Sequence, residues 1–277
     1  MSYLEINRAN WDQRAPLHAA SPDYDVERLV ADPHALSGVV RFDRHRLGDL
    51  AGVRGVHLQC HLGTDTLSLA RLGARMTGVD LSPVSLAHAR EIAARAGVEV
   101  TYVESDVYAA PEVLPRHAFD LVYTGIGALP WLPSIARWAD TVAALLAPGG
   151  RLVLREMHPM LGALDETATD RLVVGYPYFE CPDPIVSEEE TTYVAVDGSL
   201  TATVTHEWTH GLGEVVTALL DHGLVVTELV EHRSVPWEAL PGRMVPGDDA
   251  EFRLAEHPER VPLTYSLQAV SRCAPRA

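Results

Sequence analysis

Lysine is absent from this sequence, because all 22 basic residues among the 277 are arginine. No Schiff-base lysine, phosphate-loop lysine or lysine general base can therefore operate here. Positive charge is also scarce, since 38 acidic residues give a formal net charge of −16. This charge disfavours binding to nucleic-acid phosphates and to anionic membrane surfaces. We therefore expect no nucleic-acid partner and no membrane partner.

Cysteine and long apolar runs are also scarce. The cysteines are Cys60, Cys181 and Cys273, an odd number of widely separated positions. This pattern argues against a disulfide framework and predicts a cytoplasmic location. No apolar run reaches the roughly 18 residues that a membrane-spanning helix needs. The first ten residues lack the basic-then-apolar pattern of a signal peptide.

Short apolar segments alternate with helical ones from Arg54 onward. The predicted strands are 55–59, 75–79, 99–103, 119–123, 151–156, 224–233 and 261–271. Alternation of this kind is typical of a parallel sheet with helices on both faces. The sequence therefore predicts an α/β fold with a Rossmann-like, mostly parallel, seven-stranded sheet.

The remaining segments predict a helical cap and an insertion. Residues 1–50 form the cap, with helices expected at 7–17 and 35–50, and residues 51–277 form the main domain. The alternation stops after the fifth strand, which predicts a β-rich insertion at about 160–210. Within it, Asp197 and Gly198 lie between two β-branched segments, 191–196 and 200–205, and this pattern predicts a hairpin.

Two acidic residues at successive strand ends are typical of a nucleoside site. Asp80 follows the second predicted strand and can accept hydrogen bonds from both ribose hydroxyls. Asp106 follows the third strand, where a carboxylate can accept from an adenine amino group. Each residue could instead be a helix N-cap or a turn residue. Their order after a turn at Gly63 favours nucleoside binding.

The segments around these residues resemble class I S-adenosylmethionine-dependent methyltransferases, in a subgroup with a His-Leu-Gln-Cys-His first motif. The matching segments are 56–66, 77–83, 104–107, 119–123 and 146–152. The first motif departs from the usual pattern, because His57 replaces a common acid and Gln59 and His61 replace glycines. Only Gly63 remains of the glycine-rich turn.

The resemblance implies S-adenosylmethionine as cofactor and S-adenosylhomocysteine as product. It implies that Asp80 binds the ribose, that Leu81 packs on the adenine, and that Asp106 and Val107 hold the adenine edge. The residues expected at the methionine part or at the methyl-transfer opening are Gln59, Cys60, His61, Gly63, Thr64 and Thr124. Trp11 of the cap is expected to close over the cofactor, or to anchor the first helix.

His158 is the first candidate for a catalytic base, because it follows the fifth strand at the ligand-binding edge and a histidine titrates near neutral pH. Glu156 is the second candidate. A loop-shaping role for His158 and a structural hydrogen bond for Glu156 are the alternatives. Candidate substrate-binding residues are His18 and Tyr24 of the cap and Tyr178 of the insertion, although surface or packing roles would also explain them.

A competing pattern, His-Glu-x-x-His, occurs at His206, Glu207 and His210. On a helix these residues would suit a zinc hydrolase. The preceding residues 201–205 alternate with strand periodicity, and positions i and i+4 of a strand lie about 13 Å apart. We therefore expect no metal.

The sequence thus predicts transfer of a methyl group from S-adenosylmethionine to nitrogen or oxygen of a small molecule, such as a specialised metabolite. Methylation of carbon is the nearest alternative. A zinc-dependent hydrolase and a non-catalytic cofactor-binding protein are alternatives of other classes. A monomer and a homodimer are equally compatible with the sequence.

Overall fold

A computed structural model describes residues 1–168, 170–194, 198–248 and 250–272 of the chain. The first half contains α1 (Tyr3–Ala20), α2 (Val26–Ala31), α3 (Gly38–Phe42), α4 (Arg44–Leu47), β1 (Arg54–Leu58), α5 (Thr64–Arg71), β2 (Arg75–Asp80), α6 (Pro83–Arg95), β3 (Thr101–Glu104), α7 (Ala110–Val113) and β4 (Phe119–Thr124). The second half contains α8 (Ile135–Leu145), β5 (Leu146–Met157), α9 (Pro159–Gly162), β6 (Ile185–Glu188), β7 (Val204–Glu207), α10 (Leu212–Asp221), β8 (Leu224–His232), β9 (Met244–Pro246), β10 (Phe252–Leu254) and β11 (Thr264–Ser271).

The central sheet has seven strands in the order β3-β2-β1-β4-β5-β11-β8. The pairs from β3 to β5 are parallel, and β11 runs antiparallel to both β5 and β8. This confirms the predicted α/β class with a mostly parallel sheet. The strand order reverses between β1 and β4, and ligands bind at the carboxyl ends of strands beside such a reversal.

Strand β5 has apolar side chains on both faces, as expected for a central strand covered by helices. Leu152 and Leu154 belong to a core cluster that includes Trp138 of α8 and Leu219 of α10. Val153 belongs to a second cluster on the opposite face, with Leu47 of α4. The two cores fix the strand, and with it the position of Glu156 at the end of β5.

Helix α1 begins with a capping box, in which Ser2 and Glu5 satisfy each other's backbone N–H groups. Three amide side chains on this helix bond to the backbone of the insertion. Asn7 donates to the carbonyl of His206 and accepts from its N–H, Asn10 donates to the carbonyl of Ala202, and Gln13 accepts from the N–H groups of Thr201 and Ala202. These bonds hold α1 against the β7 side of the insertion.

The predicted helix at 35–50 is wrong, because two short helices, α3 and α4, occupy that segment. Asp43 separates them, and its buried side chain accepts from Arg46 and from Ser266 of β11. These tertiary contacts hold Asp43 between the two helices, and helical periodicity alone does not reveal them.

The predicted Asp-Gly hairpin is wrong for the described part of its first strand, because residues 191–194 form no strand and 195–197 lie outside the described residues. The hairpin that the structure contains pairs β6 with β7. Thr192 and Tyr193 instead contact His18 and Tyr24 of the cap, and Thr201 and Ala202 bond to Gln13. Residues 192–193 and 201–202 therefore bind to the cap instead of pairing with each other.

Within the described residues, no helix has the length and apolar character needed to cross a membrane. Cys60 and Cys181 are free thiols, whereas Cys273 lies outside the described residues.

Candidate functional site

The turn between β1 and α5 contains three left-handed residues at alternate positions. Gln59 has φ 57°, His61 has φ 48° and Gly63 has φ 69°. Glycine adopts such angles without cost, whereas other residues are strained there. The backbone therefore keeps left-handed conformations at the two positions where glycines are replaced, and the departure from the glycine-rich pattern does not straighten the turn.

Gly63 is required because its φ is left-handed and because no side chain would fit at this position. A Cβ atom at this position would overlap the Tyr102 hydroxyl and lie 3.0 Å from the Ala89 Cβ. Gly63 lies directly before α5. The backbone at this position is close to Tyr102 of β3 and to Ala89 of α6. A side chain at position 63 would push the turn away from these elements.

Asp80 ends β2, and its carboxylate faces this turn. One oxygen accepts from the backbone N–H of His61 at 2.7 Å, and the other accepts from that of Ser82 at 2.9 Å. Burial raises the pKa of Asp80 to about 6, although both hydrogen bonds act in the opposite direction. Each oxygen retains a lone pair, so the carboxylate can accept further bonds from vicinal hydroxyls.

The other residues expected around a nucleoside flank Asp80. Leu81 is half-buried directly after it. Asp106 is half-buried after β3, and burial raises the pKa of its carboxyl. Val107 is buried in the main core. Ser82 donates a 2.6 Å hydrogen bond to Asp12 of α1, so the cap is fastened beside this edge.

A chain of hydrogen-bonded groups connects four segments above the turn. The Nδ1 atom of His18 lies 2.9 Å from the Nε2 atom of His61, and the outer ring nitrogens contact Thr192 and Ser85. Burial lowers the pKa of His18 to about 3 and lowers that of His61 well below its usual value. Both rings are therefore neutral, and each donates one hydrogen bond and accepts another.

Aromatic rings enclose the same histidines. Trp11 lies edge-on to His61 and to Trp131, with centroid distances of 4.9 and 5.0 Å. Tyr24 stacks on His18 at 5.3 Å. The cap residues named from the sequence, Trp11, His18 and Tyr24, thus lie together against His61. Trp131 joins them from the segment after β4, where no local sequence pattern points to it.

Glu156 is buried and accepts four backbone hydrogen bonds. Their donors are the N–H groups of Gly127, Ala128, Leu129 and Met157. Gln59 binds the same loop from the other side by donating to the Ala128 carbonyl at 2.8 Å. Burial raises the pKa of Glu156 to about 7 against the effect of these donors. The carboxylate thus fixes the loop that follows β4.

Asp65, in the first turn of α5, lies where β4 ends. A Cβ atom at Gly125 would be 3.2 Å from an Asp65 oxygen and 3.5 Å from Nε2 of His57. Burial raises the pKa of Asp65 to about 6 and lowers that of His57 to about 3. Thr124 is buried beside Gly125, and its hydroxyl has no hydrogen-bond partner among the described residues. A carboxylate that can exchange a proton near neutral pH therefore lies beside Gly125 and Thr124, where the methyl-transfer opening is expected.

His158 is the N-cap of α9. Its Nδ1 atom accepts from the N–H of Met160, and its Nε2 atom lies 3.0 Å from a carboxylate oxygen of Glu231. Burial lowers the pKa of His158, and the neighbouring Glu231 raises it. The Nδ1 atom is thus hydrogen-bonded to the backbone, and the Nε2 atom lies within ion-pair distance of Glu231 without hydrogen-bond alignment. These contacts favour a positioning role, and a catalytic role for His158 stays a prediction.

Replacing His158 by Ala should lower the free energy of unfolding by about 1–2 kcal/mol, because the cap of α9 is lost. Replacing it by Asn should recover most of that loss, since an Asn oxygen can accept from the Met160 N–H. Denaturant unfolding of both variants measures the effect. Equal destabilisation by Ala and Asn would contradict the capping role, and loss of turnover in a stable Asn variant would support the base.

Tyr178 and His210 lie at the beginning of α10. The Tyr178 hydroxyl accepts from the Leu212 N–H at 3.4 Å. His210 is buried between Glu180 and the carbonyl of Leu132, each 2.8 Å from a ring nitrogen. These contacts fasten the insertion to the core, and a substrate contact for Tyr178 stays a prediction.

The His-Glu-x-x-His pattern does not form a zinc site in the described ranges. His206 and Glu207 belong to β7 as expected, whereas His210 lies beyond its end. Among residues 1–168, 170–194, 198–248 and 250–272, no group of three or more His, Cys, Asp or Glu side chains is placed to hold a metal ion.

Sequence reasoning missed Arg14, Asp65 and Trp131. Arg14 lies one helical turn after Trp11, so helical spacing could have placed both on one face. Asp65 lies within the matching segment 56–66, for which the resemblance implies no role at this position. Trp131 carried no signal, because its place depends on how Glu156 folds the loop.

Comparison with known proteins agrees with this geometry. Residues 56–150 match the family model of a methyltransferase domain. A demethylmenaquinone methyltransferase from Thermus thermophilus is 37% identical over 128 residues, which are 42% of this chain and 54% of that protein. A ubiquinone biosynthesis O-methyltransferase from Xanthomonas euvesicatoria is 35% identical over 136 residues, which are 49% of this chain and 56% of that protein. The chain thus spans about half the length of these curated relatives.

A solved structure resembles nearly the whole fold. It is an S-adenosylmethionine-dependent methyltransferase from Mesorhizobium loti, with a TM-score of 0.59 and 24% sequence identity. The match covers 84% of this chain and 98% of that one. It shows that the chain has the fold of these enzymes.

Proposed function

We propose that this chain is a class I S-adenosylmethionine-dependent methyltransferase that methylates nitrogen or oxygen of a small molecule. One observation carries the proposal, namely the Asp80 carboxylate at the end of β2 facing a turn with left-handed residues at positions 59, 61 and 63. The matched methyltransferase segment, residues 56–150, contains all of these residues. The acceptor of the Xanthomonas relative, named an O-methyltransferase, supports oxygen as one acceptor atom.

The described residues fit the cofactor. Asp80 retains acceptor capacity for the ribose hydroxyls, and Asp106 and Leu81 adjoin it for the adenine. Gly63 lets the turn pack closely against Tyr102 and Ala89 and so keeps it in place beside Asp80. When bound, the cofactor would supply the methyl group on a sulfonium and act as the leaving group. A histidine-rich first motif, as in the subgroup named above, is compatible with this fit because Gln59 and His61 adopt left-handed angles.

The roles of the protein's own residues follow from their contacts. Glu156 and Gln59 hold the loop after β4, and fixed positioning of reactants is a large part of any transfer between two bound molecules. Trp11 and Trp131 pack against each other beside His61 and exclude water from the turn that follows β1. Asp65 is suited to accept a proton from the acceptor, since its pKa of about 6 lies near neutral pH.

An apolar cavity beyond β5 suits the acceptor. It has a volume of about 150 Å³ and is lined by Met157, Leu161, Gly162, Leu164, Glu166, Trp237, Ala239 and Leu240. Ile126, which directly precedes the fixed loop, packs on the same apolar cluster as the cavity residues Leu161 and Leu240. A planar or aliphatic group of a few carbon atoms fits such a volume. We therefore propose acceptors with an apolar body and a polar atom to be methylated.

Titration calorimetry with S-adenosylhomocysteine tests the nucleoside site directly. Binding followed by a thermal shift of the protein would support the proposal, because a ligand at about 100 times its Kd adds about 2.7 kcal/mol of stability. A panel of phenols, catechols and amines with S-adenosylmethionine, analysed by mass spectrometry and NMR, would identify the methylated atom. Absence of any binding at millimolar concentration would refute the proposal. A product methylated on carbon would show that the acceptor atom is carbon and not nitrogen or oxygen.

Affinity for S-adenosylhomocysteine should fall as the pH is lowered through 6. Asp80 must be ionised to accept two ribose hydroxyls, and its pKa is about 6. At pH 5 only about one tenth of the carboxyl groups are ionised, so the affinity should be about tenfold lower than at pH 7.5. Calorimetric titrations between pH 5 and 8 measure this dependence. A flat profile would contradict the role of the Asp80 carboxylate.

The domain division, the class of acceptor and the location of the protein are proposed together with this function. We propose a cap at residues 1–50 on a methyltransferase domain at 51–277. The net charge of −16 supports a small-molecule acceptor rather than nucleic acid. The widely spaced cysteines support a cytoplasmic location.

A further inference from the structure

The apolar cavity beyond β5 contains one carboxylate in its wall. Glu166 lines it together with the ring of Trp237 and several aliphatic side chains. Glu166 is exposed, whereas Trp237 is half-buried. The cavity therefore offers an apolar surface for the body of a ligand and a negative charge where that body would reach solvent. We call this solvent-facing side, at Glu166, the mouth of the cavity.

Glu207 of β7 lies near the same cavity. Two residues beyond it, the methyl carbon of Thr209 is 3.9 Å from the position that a Cβ atom on Gly162 would take, and Gly162 lines the cavity. Glu166 is also close enough to Glu207 for its charge to raise the pKa of Glu207. Glu166 and Glu207 therefore approach the mouth from two distant segments of the chain.

The end of β7 is also bound to the loop that follows β4. The N–H of Trp208 donates to the carbonyl of Pro130 at 2.7 Å. Pro130 comes directly after residues 127–129, whose N–H groups Glu156 accepts. Glu207 is thus adjacent both to the cavity and to the loop beside the expected methyl-transfer opening, where the reacting atom of an acceptor must lie.

The charge at the mouth is negative and is not neutralised by ion pairs. Among the residues that the structure describes, none forms an ion pair with Glu166, Glu189 or Glu207. Burial raises the pKa of Glu207, the Thr205 hydroxyl and Arg14 lower it, and Glu189 and Glu166 raise it. Like charges around a half-buried carboxylate are unfavourable, and a cationic ligand would relieve them.

We propose that the methyl acceptor is an amine, whose ammonium group binds between Glu207 and Glu166 while its apolar body occupies the cavity beside Trp237. This proposal rests on the proposed function, because it names the substrate class of the same site. An ammonium donates charge-assisted hydrogen bonds to carboxylates and is attracted to the face of an indole ring. The carboxylates would repel an anionic acceptor, and they form only weaker, neutral hydrogen bonds with an alcohol.

Methyl transfer to such an acceptor conserves charge. The ammonium first loses one proton to a carboxylate of the site, which frees the nitrogen lone pair. The lone pair forms a bond to the methyl carbon as the carbon–sulfur bond of the sulfonium breaks. The nitrogen of the product then carries the positive charge, and the sulfur is left as a neutral thioether.

Pairs of compounds with one carbon skeleton test the assignment. Benzylamine and benzyl alcohol, phenethylamine and phenethyl alcohol, and hexylamine and hexanol differ only in the polar group. Each compound is titrated into protein saturated with S-adenosylhomocysteine, and each is incubated with S-adenosylmethionine for product analysis by mass spectrometry. The variants are Glu207→Gln and Glu166→Gln. Glu188→Gln is the matched control, because Glu188 is an exposed acid on β6 of the same two-stranded sheet.

Each amine should bind wild-type protein at least about tenfold more tightly than its alcohol, since only the amine forms charge-assisted hydrogen bonds. Glu207→Gln should weaken amine binding about tenfold, and Glu166→Gln about threefold because its carboxylate is exposed. Both variants should bind the alcohols and S-adenosylhomocysteine within about twofold of wild type, and Glu188→Gln should match wild type throughout. The methylated products should carry the new methyl group on nitrogen.

Equal affinity for amine and alcohol in every pair, or unchanged amine binding in both variants, would overturn the assignment while the proposed function stands. Methylation of the alcohols alone, or no amine binding at millimolar concentration, would overturn it in the same way. Failure of wild-type protein to bind S-adenosylhomocysteine would instead refute the proposed function. Thermal unfolding reports whether each variant folds, and Glu166→Gln carries the test if Glu207→Gln does not fold.

Discussion

Replacing Asp80 by Asn should lower the affinity for S-adenosylhomocysteine about 100-fold, which corresponds to about 2.8 kcal/mol. The carboxylate would accept two charge-assisted hydrogen bonds from the ribose, and such bonds contribute about 1.5–3 kcal/mol each. An amide offers one acceptor oxygen, and its NH₂ group would face either a ribose hydroxyl or one of the backbone N–H groups of His61 and Ser82. Titration calorimetry at pH 7.5 measures the loss.

Glu91→Gln is the matched control for Asp80→Asn. Glu91 is an exposed acid on α6, so its removal changes net charge equally without touching the turn. Its affinity should stay within about twofold of wild type, since exposed charges contribute little. Thermal unfolding of both variants separates binding from folding. Wild-type affinity in a folded Asp80→Asn protein would remove Asp80 from the nucleoside site.

Glu156→Gln should lower the free energy of unfolding by about 3 kcal/mol, because two of four backbone donors would face an NH₂ group, and a buried unsatisfied donor costs about 1–3 kcal/mol. For a chain of this size that loss lowers Tm by about 6–12 °C. Turnover should fall as well, since the loop 127–129 would no longer be fixed. Calorimetric melting and steady-state kinetics measure the two effects.

Glu112→Gln provides the comparison for Glu156→Gln. Glu112 is exposed on α7, and its replacement should move Tm by less than about 2 °C. A Glu156→Gln protein that melts within 1–2 °C of wild type would show that the backbone donors find other partners. Full stability with abolished turnover would instead support Glu156 as the base considered from the sequence.

The positions of the sheet strands along the chain followed from local patterns, because buried parallel strands are short apolar segments with turn residues at their ends. Asp80 and Asp106 could be placed at strand ends for the same reason. The role of Glu156 could not be foreseen, since its four donors come from a loop whose path depends on that carboxylate. The sequence suggested a base, whereas the structure surrounds the side chain with backbone N–H groups.

The insertion was harder to predict than the sheet. An Asp-Gly pair between β-branched residues indicates a hairpin only when nothing else competes for the flanking backbone. Here Gln13 and His18 of the cap compete for Thr201 and Thr192, and β6 pairs with β7 across 15 intervening residues, 189–203. The contacts of Gln13 and His18 join positions more than 170 residues apart, which no local window contains.

The amide side chains of α1 also cover one edge of a small sheet, and we expect this cover to oppose self-association. The sheet of β6 and β7 has only two strands, so the β7 edge away from β6 would expose unpaired backbone groups, and such edges recruit strands of other molecules. Asn7 occupies both the N–H and the carbonyl of His206, and Asn10 and Gln13 continue the cover toward residue 201. The helix that encloses the ligand site thus also closes an aggregation-prone edge, and variants that loosen α1 would be expected to precipitate as well as to lose affinity.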